Sequence, residues 1–391
     1  MDFSLTEEQQ MLRDLVAKFV RDNLRPLEPK ILAREAAGEK KSVSAEEHEA
    51  LDAKARELGL YALESPEEFG GSNLDAVSMV GVFEELGKTA VDYFFPPDSP
   101  NLHMLNLSCS DEQRKKYLEP YARGEKSSCI AISEPGGGGD PASMKSRAEQ
   151  DGNGWKINGR KIWVSGAEDA DFVILMAVTD PEKGARGGIS SFIVDKGTPG
   201  FNVARRIPMI GGRFTYEIAL EDLRLPGSAL LGELGNGYGP MQLRLSRRRV
   251  EMAARCAGTT RRALDEMKEW VKQRKTFGEL LADRQSIQWW IADAEMQLHA
   301  LRLMTYNTAA KLDMGQQART ECSMVKLMGT ELAWDTLDKA MQAFGAMGMT
   351  KELPLQAMAN HVRVQRIYEG PSEVHRMLIA RHALQDRIPT L

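Results

Sequence analysis

Three stretches of this chain gather groups that could meet a ligand. EPGGGGD, Glu134 to Asp140, offers a run of backbone N–H groups unobstructed by side chains. Such a run suits close approach to an anionic or flat ligand. RLSRRRVEMAAR, Arg244 to Arg255, is the one basic cluster, fit for a solvated helix face or for contacts to an anion. RIYEGPSEVHRMLIAR, Arg366 to Arg381, sets Glu369 just before Gly-Pro at the mouth of a helix. A carboxylate is favoured there by unpaired N–H groups and the macrodipole, with Pro371 predicted at the first helical position and Glu373 in the first turn. On these residues alone Glu369 reads as a helix-terminus charge. The glycine run lacks the GK[ST] ending of a P-loop and opens no helix, so the dinucleotide fingerprint fails as well. GELGNGYG, Gly232 to Gly239, fails in the same way. Cys109, Cys129, Cys256 and Cys322 form no CxxC pair, and the six histidines form no HExxH, so neither a disulfide framework nor a metal site is expected.

The elements that must position these groups fall into three zones. From residue 4 to 127 the period is helical: TEEQQMLRDLVAKFV puts Leu12, Val16, Phe19 and Val20 on one face, and EEHEALDAKARELGLYAL repeats the pattern with Leu51, Leu58 and Leu60. Pro96, Pro97 and Pro100 predict a loop or broken helix. Near residue 128 the period changes to short β-rich segments, CIAIS, GWKINGRKIWVSG, DFVILMAVT, GISSFIVD and YEIALEDLRL. Their spacing predicts an antiparallel sandwich or barrel, and Asn158-Gly159 predicts a two-residue hairpin turn. After GELGNGYG the helical period returns, and QSIQWWIADAEMQLHALRLMTYNTAAKLD predicts one long helix with Trp290, Ala294, Leu298 and Leu301 aligned. The fold class expected is α+β, with an N-terminal helical domain at 1–127, a middle β-domain at 128–236 and a C-terminal helical bundle at 237–391.

Length and composition bound the rest. At 391 residues there is room for two or three domains, and 42% hydrophobic with 27% charged residues is ordinary for a globular protein. A net charge of −5 argues against nucleic-acid binding by blanket phosphate neutralisation. No run of about 18 apolar residues exists, so no membrane span is expected. MDFSLTEEQQ shows no secretory or transit pattern, which makes the cytoplasm the expected location.

Four motifs stand in one order: ISEPGGGGD, NGRKIWVSG, RKTFGELLADRQSIQ, and QAFGAMGM followed by RIYEGPSEVHR. With the α–β–α zoning, they resemble the acyl-CoA dehydrogenase family of flavoproteins over nearly the whole chain. The resemblance implies that the C-terminal domain is a four-helix bundle and that the protein is a homotetramer, a dimer of dimers. FAD would lie between β-domain and bundle, partly held by a neighbouring subunit. By the same resemblance Ser133 keeps the hydroxyl that bonds the flavin, Trp163 lies beside the isoalloxazine and Ser165 reaches flavin N5. Arg274 would pair with the pyrophosphate across a subunit boundary, with Phe277 and Gln285 as neighbours. Gln342 and Gly345 would hold the adenosine end, and Pro371, Ser372 and Glu373 would touch FAD at the last helix. Glu369 sits on the position of the general base, which removes the α-proton of an acyl-CoA thioester while the β-hydride leaves to flavin N5. Its backbone N–H would help polarise the thioester carbonyl, with Gly370 leaving the approach open. Arg249 matches the arginine that steadies this loop. Burial against substrate is expected to raise the Glu369 pKa toward the range suited to a base, with the helix terminus opposing it.

The chain departs from the pattern at four places. Gly139 replaces a serine near the FAD phosphate and thioester, Pro371 replaces a threonine, Gly345-Ala346 replaces a double glycine, and Ser246 replaces an acidic residue near the thioester or pantetheine. An EGP motif marks a side branch of the family with less usual acyl groups. FFPPDSPNLHML falls where the bottom of the acyl pocket is built and offers no arginine for a dicarboxylate. Arg248 occupies the alternative base position used by one branch, which leaves Glu369 as base. The resemblance also implies an electron-transfer flavoprotein as acceptor. Two alternatives remain open at this point: an oxidase or monooxygenase on the same scaffold, and a silent subunit of a mixed tetramer.

Overall fold

The structure is a computed structural model and describes residues 4–39, 43–97 and 100–388. The N-terminal region opens with α1 (Glu7–Phe19), whose first turn is closed by a capping box: the Thr6 hydroxyl accepts from the Gln9 N–H, and the Gln9 side chain accepts from the Thr6 N–H. Its apolar face buries Val16 and Phe19 fully. α2 (Glu28–Ala36), α3 (Ala45–Glu57), α4 (Ala76–Leu86), α5 (Asn101–Ser108), α6 (Asp111–Gln113) and α7 (Glu119–Ala122) follow. Residues 98 and 99 of the Pro-rich segment lie outside the described residues, and α5 begins directly after Pro100.

The middle region holds β1 (Ser128–Ala131), β2 (Arg147–Asp151), β3 (Gly154–Val164), β4 (Phe172–Val178), β5 (Ile189–Asp195), β6 (Phe201–Met209), β7 (Arg213–Pro226) and β8 (Leu230–Leu231). They form one sheet in the order β6-β7-β3-β2-β4-β5-β8, with β1 also on β4. Two pairings correct the antiparallel expectation: β1 runs parallel to β4, and β2 meets β4 in parallel at Arg147 and Val178. A parallel partner requires a long crossover, and here the connection between β1 and β4 carries the glycine-rich loop and the β2–β3 hairpin.

The hairpin turn is also displaced from its predicted place. It is Gly152-Asn153, between the paired Asp151 and Gly154, with Gly152 at φ 59. Asn158-Gly159 instead forms a bulge inside β3, where the register against β7 shifts. The Asn158 side chain accepts from the Asp222 N–H at 2.8 Å and donates to the Asp222 carboxylate at 3.1 Å. The tolerances that suit this dipeptide to a tight turn suit it equally to a bulge. A Cβ on Gly159 would lie 2.7 Å from Ser146 Cα. Gly159→Ala is therefore expected to destabilise the protein by about 1–3 kcal/mol, read as a lowered Tm.

The C-terminal region contains α8 (Tyr238–Val271), a small hairpin of β9 (Lys275–Thr276) and β10 (Glu279–Leu280), α9 (Gln285–Asp313), α10 (Arg319–Phe344), α11 (Leu355–Gln365) and α12 (Ser372–Ala383). The predicted long helix is α9, with Ala294, Leu298 and Leu301 buried and Trp290 partly so. α8 to α11 share one apolar core, which Ala76 and Val80 of α4 enter from the N-terminal region. The Asp313 carboxylate at the end of α9 accepts from the Ala76 and Val77 N–H groups at the start of α4, fastening the two regions. Pro371 is the N-cap of α12, one place earlier than predicted, with extended backbone.

Candidate active site

Glu369 lies in the turn between α11 and α12 at φ 56, and Gly370 follows at φ 99. A left-handed glutamate is strained and persists only when its surroundings over-determine it. Two cations do so through the main chain. Arg249 Nε on α8 donates to the Glu369 carbonyl at 3.1 Å, and Lys326 Nζ on α10 donates to the Gly370 carbonyl at 2.7 Å. Lys326 is fully buried, and that burial pushes its ammonium down to about 8. The turn is also packed tightly on α12: a Cβ on Gly370 would lie 2.9 Å from His375 Nε2. Burial, with Arg249 and Lys326 nearby, pushes the His375 imidazole down to about 3, so it is neutral at pH 7.

The Glu369 carboxylate is bound from α8. Arg244 Nη1 donates to its two oxygens at 3.0 and 3.1 Å, and Arg244 Nε donates to Asn101 Oδ1 at 2.8 Å. Burial pushes the Glu369 carboxyl up, but the charges of Arg244, Arg248 and Arg249 outweigh it and hold the group below its ordinary value. The arginines of α8 thus oppose burial at Glu369, a contribution not read from the sequence. Arg248 forms an ion pair with Glu251 and lies 5.1 Å over the ring of Phe94.

The other residues named from the sequence form two groups. Beside Glu369, a Cβ on Gly139 would lie 3.4 Å from Val374 Cγ2 and 3.9 Å from Pro371 Cγ, so the glycine-rich loop meets the start of α12. Ser133 is joined to the same sheet region, its carbonyl accepting from the Ile162 N–H at 2.9 Å. Next to Ile162, Trp163 sits at φ 62 on a second β3 irregularity and is 50% exposed, and Ser165 is exposed beyond it. Ser372 is buried, its hydroxyl donating to Glu331 at 2.6 Å and its N–H to the Arg366 carbonyl, while Glu373 is exposed. The Ser246 hydroxyl donates to the Gln242 carbonyl one turn back on α8.

The second group gathers at the far end of α8. Arg274 lies 5.9 Å over the Trp270 ring, and Trp270 Nε1 donates to the Ala343 carbonyl, between Gln342 and Gly345 at the end of α10. Phe277 is at the tip of the β9–β10 hairpin, fully exposed at φ 52, and Gln285 opens α9. Arg249 and Trp270 are separated by roughly 30 Å along α8. The residues named from the sequence therefore lie in two separate groups on one chain.

Sequence reasoning missed the residues that hold the first group in place. Lys161 is fully buried on β3 and donates to Glu134 Oε1 at 2.7 Å and the Ile132 carbonyl at 3.1 Å; Glu134 also accepts from the Ser146 N–H. The pair fixes the first residue of the glycine-rich loop. Its signal was a lysine at an inward position of an alternating strand. Lys326 had a similar signal, a lone lysine in the apolar run SMVKLMG. Arg244 stands four residues before Arg248, the spacing of neighbours on one helix face.

The three regions each match a family model. These are the N-terminal domain of acyl-CoA dehydrogenase over residues 6–125, its middle domain over 129–223 and its C-terminal domain over 235–384. The (R)-benzylsuccinyl-CoA dehydrogenase of Thauera aromatica is 38% identical over 99% of this chain and 98% of its own length. The caffeyl-CoA reductase-Etf complex subunit CarC of Acetobacterium woodii is 34% identical over 96% of this chain and 98% of its own. Among solved structures, the FAD complex of PigA superposes with a TM-score of 0.89 at 29% identity, over 99% of this chain and 100% of that one. With every region matched in order and relatives aligned end to end, the chain belongs to the acyl-CoA dehydrogenase family.

Proposed function

We propose that this protein is an FAD-dependent acyl-CoA dehydrogenase in which Glu369 removes the α-proton of the thioester. The observation that carries this reading is the clamp on the Glu369-Gly370 pair. Two buried cations spend their hydrogen bonds on consecutive carbonyls of a strained turn, which fixes where the carboxylate stands. A helix-terminus charge needs no such clamp.

The residues present fit FAD. Trp163 is a half-exposed indole on a strained bulge, suited to contact with a flat ring. A Cβ added at Gly136 or Gly138 would meet nothing within 4 Å, so the loop is open there, and Gly139 closes against Pro371 and Val374. Ser133, Gly139, Trp163, Ser165, Pro371 and the exposed Glu373 would hold the flavin end. Arg274, Phe277, Gln285, Gln342 and Gly345, too far along α8 to reach the same flavin, would complete the site of a neighbouring copy in a homotetramer. FAD, when bound, supplies the acceptor for the β-hydride. The chain supplies the rest: the Cα–H bond breaks, its proton passes to a Glu369 oxygen, and its electron pair forms the new Cα=Cβ bond. The Glu369 N–H is proposed to bond the thioester oxygen as charge builds there. Electrons are proposed to leave to an electron-transfer flavoprotein, a partner suggested by the Etf complex of the Acetobacterium relative.

The test is an anaerobic absorbance titration of the FAD-loaded protein with straight-chain, branched and aryl-bearing acyl-CoAs, the last chosen from the names of the two relatives. Bleaching of the flavin by one class is the expected result. Retained FAD with no bleaching by any thioester would sink the dehydrogenase reading, and rapid reoxidation in air would move it to an oxidase.

A further inference from the structure

Arg244 and Arg248 stand one turn apart on α8, and both lower the cost of ionising Glu369. Their own charges are balanced differently. Arg248 is ion-paired with Glu251. Arg244 has one carboxylate partner among the described residues, Glu369 itself, with the two side chains 8% and 14% exposed. Asn101 Oδ1 holds its Nε, and Asn101 in turn donates to Ser128 Oγ at 2.9 Å, so the guanidinium plane is fixed from α5. Nη1 serves both Glu369 oxygens, and Nη2 has no hydrogen-bond partner among the described residues. The edge formed by Nη1 and Nη2, which matches a carboxylate with two parallel bonds, is not used in that way.

Charge balance makes this arrangement incomplete. A base that takes a proton becomes neutral. Once Glu369 does so, Arg244 is left charged, nearly buried and without a counter-ion, a strongly unfavourable state. A second anion within reach of Arg244, one that stays charged while Glu369 is neutralised, would remove that cost. We propose that this anion belongs to the substrate: Arg244 binds a free carboxylate on the acyl group, so the substrate is the CoA monothioester of a dicarboxylic acid. This rests on the reading of Glu369 as base. The Pro-rich segment carries no arginine for such a group, but Asn101, just beyond its last proline, orients one supplied by α8. Before substrate binds, Glu369 occupies Arg244 and is kept ionised. The incoming carboxylate takes over the Nη1–Nη2 edge and releases Glu369 to the α-carbon.

The test compares monothioesters of succinic, glutaric and adipic acid with their methyl esters, which keep shape and remove charge. Each is mixed anaerobically with the FAD-loaded protein and flavin bleaching is followed. At least one acid is expected to exceed its own ester by about 10²-fold in kcat/KM. Arg244→Gln is expected to shrink that ratio to a few-fold, and Arg244→Lys, which keeps charge without the fork, to leave it between. Esters bleaching as fast as acids in the unmodified protein would overturn the proposal and leave the dehydrogenase reading intact. If no thioester bleaches the flavin, equilibrium dialysis of the same pairs decides. A preference for acid lost in Arg244→Gln keeps the carboxylate subsite while the dehydrogenase reading fails, and equal binding of acid and ester overturns the subsite.

Discussion

Glu369→Gln is expected to slow flavin bleaching by a responsive acyl-CoA about 10³- to 10⁴-fold while FAD stays bound. The substitution keeps size and shape, and the clamp from Arg249 and Lys326 grips only main-chain carbonyls, so the turn is expected to hold. What is lost is the proton acceptor, together with the carboxylate partner of Arg244, and general bases contribute about 10²–10⁴-fold. The upper part of that range applies because an amide so placed cannot be replaced by a second carboxylate: Arg248 fills the neighbouring candidate position. Rapid-mixing absorbance under anaerobic conditions measures it directly, and a loss under tenfold would return Glu369 to the helix-terminus role. A pH signature accompanies the loss. Glu369 is held below its ordinary value in the folded chain, so its ionised form contributes stability above the unfolded value. That contribution disappears as pH falls through the lower folded value. In Glu369→Gln this part of the acid dependence of Tm should be absent.

Lys161→Met is expected to destabilise the protein by about 3–5 kcal/mol, the cost of leaving one partner of a buried ion pair uncompensated. Methionine fills the same straight space, so packing changes little. The Glu134 carboxylate would keep the Ser146 N–H and lose the only ammonium among its described partners. Because Glu134 opens the glycine-rich loop, FAD retention should fall in step with Tm. The double variant Glu134→Gln with Lys161→Met is expected to recover a large part of the loss, since two neutral groups leave no stranded charge. Thermal unfolding of these two variants and of Glu134→Gln alone gives the cycle. Additive losses would show that the two residues act independently of their contact.

Legibility in the sequence followed the range of the interactions involved. The span and buried face of α9 could be read because a 29-residue amphipathic helix is decided locally. The β-domain was legible as strands but not as a sheet. The parallel pairing of β1 with β4 joins Ser128 to Phe172, which no local pattern announces. Asn158-Gly159 carried a true turn signal, and the tertiary contact to Asp222 diverted it into a bulge. The motif residues around Glu369 were visible through resemblance. Arg244 and Lys326 were not, because their meaning lies in carbonyls and carboxylates brought from the α11–α12 turn, 44 residues from Lys326 in the chain. The arginine charges that oppose burial at Glu369 were hidden for the same reason.

The length of α8 has a consequence for heredity. In the assembly proposed above, a defect near Arg249 and a defect near Arg274 fall on different composite sites even when one polypeptide carries both. Two copies of the gene, each broken at a different end of this helix, would together yield some intact sites. A copy broken at one end would spoil sites it shares with healthy neighbours. In that assembly, complementation and dominance between alleles would follow from roughly 30 Å of helix.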